Sequence, residues 1–269
     1  MSDTPIHRDF TFDKYRQLCE TLASAGYALL TFSQLRDRSP EAQPAVMLRH
    51  DVDRSLSKAL DMAAYEARRG IRATYFVRMI PAVFQPERIR ELHRLGHEVG
   101  YHYEVLTKTK GNVALALELF EKELARLRRV APVHSASMHG SPLSPWNSLN
   151  IWKECGIGRF DITTEASLSV DYSGVYYFTD TGRCWSADRF NIRDRVNSPS
   201  PGRRIETTDD LIAFLAAGSP LPIIINTHPN RWAQTSFDYQ VTRVLDHSAN
   251  WAKWLIAGFW RLRHQRNNR

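Results

Sequence analysis

Apolar residues recur along this chain in two alternating rhythms. Between Phe12 and Gly26, the residues Tyr15, Leu18, Cys19, Leu22 and Ala25 stand three or four apart, one face of a helix that the glycine stops. A polar connection from Ser39 to Pro44 leads into the apolar run Ala45–Leu48, a buried strand ending at Arg49-His-Asp-Val-Asp53. The pattern then repeats. A helix over Ser55–Arg69, closed by Gly70, precedes a strand at Ile71–Val77, and a helix over Pro86–Leu95, ended by Gly96, precedes a short strand at His97–His102. The long amphipathic segment Asn112–Val130 carries Leu115, Leu119, Leu124 and Leu127 and leads to a strand at Val133–Met138. Further elements are a helix over Trp146–Cys155, strands at Arg159–Ile162 and Val175–Phe178, a helix over Thr207–Ala217 and a strongly apolar strand at Leu221–Asn226.

Strands alternating with long helices predict an α/β protein built of parallel βαβ units with right-handed crossovers. About seven strands suit a closed or nearly closed (β/α) barrel, with a doubly wound open sheet as the alternative. No internal repeat, low-complexity block or long linker divides the chain. We therefore expect one domain over 1–269, with a helical extension at 1–45 and a basic helix or tail at 244–269.

Composition narrows the setting. With 269 residues and 43% hydrophobic content, the chain can bury a sizeable core. No window approaches the roughly 18 apolar residues of a membrane span. The start, MSDTPIHRDF, has no apolar signal region. Cys19, Cys155 and Cys184 are too sparse for a disulfide framework, so a reducing, cytoplasmic setting is expected. The net charge of +7 favours an anionic partner. Nucleic acid is not expected, because the basic residues are scattered and no recognition motif occurs. The stretch 251–269 interleaves Trp251, Trp254, Phe259 and Trp260 with arginines, a pattern suited to peripheral contact with an anionic membrane. The oligomeric state is left open.

The unusual polar residues fall just after predicted strands, where parallel α/β folds build their sites. In His50-Asp-Val-Asp53, alternation along extended backbone puts Asp51 and Asp53 on one side. Two carboxylates in one cleft repel unless a cation lies between them or one stays protonated. In Gly96-His-Glu-Val-Gly-Tyr-His-Tyr-Glu104, His97 and Glu98 begin the strand, so only His102 and Glu104, at its far end, can join those acids. Imidazole and carboxylate together are the usual mixed ligand set for zinc and related divalent ions. His139, in the tight turn Ser-Met-His-Gly-Ser-Pro142, and His228, in Ile-Asn-Thr-His-Pro229, follow later strands. Arg49 adjoins the acids and could tune Asp51.

LRHDVD, GHEVGYHYE and INTHP, in that order, resemble the polysaccharide deacetylase (NodB-homology) family, carbohydrate esterase family four, as a divergent member. The resemblance runs from about Val46 to Pro229. It implies a distorted (β/α)7-type barrel, a divalent metal that is usually zinc, and hydrolysis of N-acyl groups on amino sugars. It further implies Asp51 as general base, Asp53 and His102 as ligands, and His228 as general acid. The family's second ligand histidine corresponds to Leu106, which cannot bind metal, so His139 is expected as third ligand with Glu104 as its alternative. An acid such as Asp161 or Asp180 could keep His228 protonated, and the family's arginine-containing motif is not recognisable. For a sugar substrate, Tyr103, Trp146, Asp180 and Arg183 are the expected contacts, the last two in a loop pair over 172–188. A cytoplasmic enzyme with peripheral contact to the inner face of the membrane would meet a precursor of a surface glycan such as lipopolysaccharide O-antigen. The competing readings are a deformylase or related amidohydrolase, and a glycan-binding barrel without catalysis.

Overall fold

The computed structural model describes residues 8–34, 44–141, 144–185 and 196–245. Its frame is a parallel sheet in which β2 (Ala45–Val52), β3 (Thr74–Arg78), β4 (Glu98–Tyr103), β5 (Ser135–Met138) and β6 (Thr164–Glu165) lie in sequence order. On the other side of β2 come β8 (Ile223–Thr227) and then β7 (Tyr176–Thr179). The strand β1 (Ala28–Leu30) pairs with the first residues of β2, ahead of the stretch that pairs with β3. Helices α1 (Phe12–Ser24), α2 (Leu56–Arg68), α3 (Pro86–Arg94), α4 (Val105–Lys108), α5 (Val113–Arg128) and α6 (Thr208–Ala216) fill the connections.

The sheet curls into an incompletely closed barrel. Its end strands β6 and β7 are not paired with each other among the described residues, yet side chains from both ends meet inside. Tyr172 donates from its hydroxyl to the Ala166 carbonyl at 2.8 Å, and its ring lies 5.4 Å from that of Tyr177. A distorted (β/α) barrel is thus what the chain builds.

Alternation then sorts every strand into two faces. Val46, Leu48 and Val52 point outward into the main core with Tyr75, Val77, Val99, Tyr101 and Ile225. Met47, Phe76, Tyr177 and Ile224 point inward into a second cluster that plugs the barrel floor. Fully burying each such side chain is worth roughly 1.5–3 kcal/mol. Gly100 is required by this plug, since a Cβ there would run into the Phe76 ring.

Several elements differ from their sequence expectation for identifiable reasons. β2 continues to Val52 instead of stopping at Leu48, because its polar residues are compensated on both faces. Inside, Arg49 pairs with Asp51; outside, His50 Nε2 lies 2.9 Å from Glu66 of α2. The strand expected at Arg159–Ile162 is a 3-10 turn over Ile157–Phe160, because Asp161 adopts φ +53, outside the extended region. Trp146–Cys155 forms only a 3-10 turn over Ser148–Lys153, started by Asn147 accepting from the Leu149 amide. The extension at 1–45 carries β1 in addition to its helix. The basic aromatic stretch 251–269 lies outside the described residues, and no helix among the described ones is long and apolar enough to cross a membrane.

The outward polar cluster joins five elements behind the strand ends. Glu66 is fully buried and accepts hydrogen bonds from the hydroxyls of Tyr15 and Tyr75, the latter at 2.8 Å. His50 Nδ1 contacts the Thr227 hydroxyl at 2.6 Å, bonding β2 to β8 at a register pair. His97, in the turn between α3 and β4, bonds the Ala63 carbonyl through Nε2 at 2.9 Å and serves this cluster instead of the inner face. Removing one partner from a buried ionic group is costly, so Glu66→Ala should lower unfolding stability by about 3–5 kcal/mol in chemical denaturation. Asp13→Ala, at an 83% exposed carboxylate, should change it by no more than about 0.5 kcal/mol.

Candidate metal centre and its acid–base partners

Three strand ends converge above the plugged floor. At the end of β2, the Asp53 amide donates to the Asp51 carbonyl at 3.0 Å, a tight turn that leaves the Asp53 carboxylate facing inward. His102 points inward from β4, where it is in register with Arg78 of β3 and Ser137 of β5. His139 is the first residue beyond β5, and its amide donates to the Tyr103 carbonyl at 2.8 Å. Asp53 Oδ1 lies 3.5 Å from His102 Nε2 and 3.4 Å from His139 Nε2. One donor atom from each of these residues falls within 4.8 Å of the others, so the trio could hold a metal ion.

The hydrogen bonds around the rings decide which atoms face the centre. His102 Nδ1 lies 3.0 Å from the Ser137 carbonyl, which can only accept, so Nδ1 carries the proton. His139 Nδ1 lies 3.1 Å from a Glu104 carboxylate oxygen and 2.8 Å from the Ser141 hydroxyl. Both Nε2 lone pairs of the neutral rings then point toward Asp53 Oδ1, which is buried and has no hydrogen-bond partner. Three acceptors facing one another without a donor fit a cation. Without one, the strain falls on protonation. Burial lowers the His102 value, but the charges of Asp51 and Asp53 outweigh it and raise it. Burial likewise works against an ionised Asp53, yet the histidines hold it well below the usual carboxylate range.

Beside the trio stands Asp51, 2% exposed. Arg49 grips it with two bonds, Nε to Oδ1 at 2.8 Å and Nη2 to Oδ2 at 2.7 Å. The same guanidinium donates to the Ser137 hydroxyl at 2.5 Å, and Asn226 donates to Asp51 Oδ2 at 3.3 Å. Burial pushes the Asp51 carboxyl up, but Arg49 first, then His102 and His228, hold it at about 2. Its Oδ2 lies 3.9 Å from His102 Nε2 and 4.0 Å from His228 Nε2.

His228, just past β8, is fixed from behind by Asp180. The ring Nδ1 lies 2.6 Å from Asp180 Oδ1, and the His228 amide donates to Oδ2 at 2.8 Å. The Trp232 indole and the Arg231 guanidinium also donate to Asp180, at 3.0 Å to Oδ2 and 2.7 Å to its carbonyl. This leaves Nε2 of His228 turned toward Asp51.

The structure therefore brings together Asp51, Asp53, His102, His139 and His228. Leu106 is buried in the core on α4. Glu104, the alternative ligand, instead bonds Arg78 and the rear nitrogen of His139. Three expected substrate contacts need correction. Asp180 is fully buried beneath His228, so it orients that ring and meets no substrate. Tyr103 is fully buried, its hydroxyl held between Glu165 and the Trp152 indole, because it has outward parity next to inward His102. Arg183 packs against the rings of Phe10 and Tyr239 and donates to the Asp9 carbonyl, away from the centre. Trp146 is exposed, its ring over Gly111. Asp161 is exposed before β6, at the opposite end of the sheet from His228. Arg78, Ser137 and Asn226 were not expected from the sequence. Strand parity could have found them, since each shares a face with a neighbouring site residue.

No protein-family model matches the chain, and no curated protein does. Among solved structures it is similar to a variant of the peptidoglycan deacetylase PdaC from Bacillus subtilis, with 14% identity, 85% of this chain and 99% of that one covered, and a TM-score of 0.41. It is also similar to the Xyl-CE4 domain of a multidomain xylanase from the hindgut metagenome of Trinervitermes trinervoides, with 14% identity, 75% and 78% covered, and a TM-score of 0.39. Likeness at this level assigns no residue a role.

The geometry gives a direct expectation. Metal analysis by mass spectrometry after dialysis against a divalent cation should find it bound stoichiometrically to the intact chain, and absent from Asp53→Ala and His139→Ala.

Proposed function

We propose that this chain is a metal-dependent hydrolase that removes an N-acyl group, acetyl in the first instance, from an amino sugar. The observation that carries this reading is the cluster of acceptors around Asp53 Oδ1, flanked by a charged carboxylate and a carboxylate-bound histidine. Two neutral imidazoles and one carboxylate are a donor set that zinc takes in catalytic sites with a fourth position open, which supports zinc as the ion. When bound, such an ion polarises an amide carbonyl and lowers the pKa of a coordinated water toward neutrality.

The protein's own groups supply the proton transfers. Asp51, kept ionised by Arg49, accepts a proton as the water oxygen bonds to the acyl carbon. Its low pKa makes it a weak base, suited to a water that is already acidified. Protonated His228 donates from Nε2 to the amide nitrogen as the carbon–nitrogen bond breaks, so the sugar leaves as a neutral amine. Asp180 stabilises the imidazolium and fixes its direction. The acyl group departs as a carboxylic acid.

The LRHDVD, GHEVGYHYE and INTHP motifs support the amino-sugar substrate. The net charge of +7 and the basic aromatic sequence at 251–269 support an anionic, lipid- or nucleotide-linked precursor of a surface glycan, such as an O-antigen intermediate, met in the cytoplasm at the inner membrane face. A non-catalytic barrel is disfavoured because His139 brings an imidazole to the place that Leu106 cannot fill.

The reading is tested by offering the zinc-loaded protein N-acetylated and N-formylated amino-sugar precursors and following release of acid and free amine. Asp51→Asn should lower kcat by about 10²–10⁴-fold while bound metal is retained. Turnover unchanged in that variant would remove Asp51 from the chemistry. Arg49→Met takes away the charge that holds the Asp51 carboxyl at about 2, leaving burial to raise it. The acid limb of the kcat/KM profile should therefore move to higher pH, with activity lost earlier as the pH falls.

A further inference from the structure

We propose that Arg78 and Glu104 form a bracket that positions two ligands of the metal centre at once, a role that rests on the metal reading above. Arg78, at the end of β3, donates from Nη2 to both Glu104 oxygens at 2.8 and 2.7 Å. From Nη1 it donates to the Asp53 carbonyl at 3.2 Å. Glu104 in turn faces His139 Nδ1 at 3.1 Å and accepts from the Ser141 hydroxyl at 3.4 Å. One guanidinium thus reaches the backbone of one ligand and the carboxylate that orients another.

His139 needs such support more than His102 does. His102 lies within a strand, paired on both sides by β3 and β5. His139 sits in a turn whose Ser141 has φ +32, a region that non-glycine residues rarely adopt, so side-chain bonds must hold the turn. An ionised carboxylate is only an acceptor, so its bond to Nδ1 fixes the tautomer that presents the Nε2 lone pair. A glutamine at 104 could turn its amide N–H toward that nitrogen and reverse the preference. A lysine at 78 keeps the charge but lacks the planar fork that reaches two acceptors. Glu104 also links the end of β4 to the turn after β5 through its contact with His139.

The test is zinc affinity by chelator competition, with the His139 ring tautomer read by nitrogen NMR in the metal-free full chain. In the unmodified protein, His139 should carry its proton on Nδ1. Glu104→Gln and Arg78→Lys should each bind zinc about 10–100-fold more weakly. Lys58→Gln, which breaks the part-buried pair with Asp238 elsewhere on the surface, should leave affinity unchanged. If zinc binds the unmodified chain and both variants equally, the pair is only a structural ion pair and the bracket is overturned, while the metal centre stands. If the unmodified chain binds no zinc, both readings fall. The NMR result needs no variant to fold: a neutral His139 ring protonated on Nε2 and not on Nδ1 overturns the bracket by itself.

Discussion

Buried negative charge at the mouth of the barrel is the constraint around which this structure is organised. Asp51 and Asp53 are brought inward by the same strand end, and neither can remain ionised there uncompensated. The two are compensated differently. Asp51 receives a guanidinium from its own strand, in a two-bond grip, with Ser137 and Asn226 completing the surroundings. Asp53 receives only imidazole lone pairs, and one of its oxygens has no hydrogen-bond partner. This asymmetry separates a carboxylate held charged by an arginine from one whose unpartnered oxygen suits a cation.

The supports of the site follow from the placing of adjacent strand residues on opposite faces of the sheet. Each inward functional residue has an outward neighbour that anchors its strand. His50, before Asp51, bonds Glu66 and Thr227; Thr227 in turn precedes His228. The outward cluster therefore fixes the strand pair that carries Asp51 and His228, without touching either. Tyr103, beside His102, does the equivalent on β4 by bonding Glu165 and Trp152. Rigid strands hold Asp51 and His102, whereas His139 and His228 lie just beyond strand ends and depend on carboxylates behind them. Glu104 and Asp180 perform the same physical task for the two rings, fixing Nδ1 so that Nε2 faces the centre.

The sequence by itself determined the parallel α/β frame, because the switching apolar periods and the glycine stops are local properties. It also marked Asp51, Asp53, His102, His139 and His228, because strand-end positions can be read from the end of an apolar run. Tertiary structure decided what each charged residue does. The end of β2 is not legible in the sequence, because Arg49 and His50 look like loop residues until their partners, Asp51 and the distant Glu66, are seen. Asp180 and Tyr103 resembled substrate contacts because sequence cannot tell an exposed polar group from one buried against a remote partner. The partners of Glu104 and Asp180 come from other elements, and only the curling of the sheet brings them within hydrogen-bond reach.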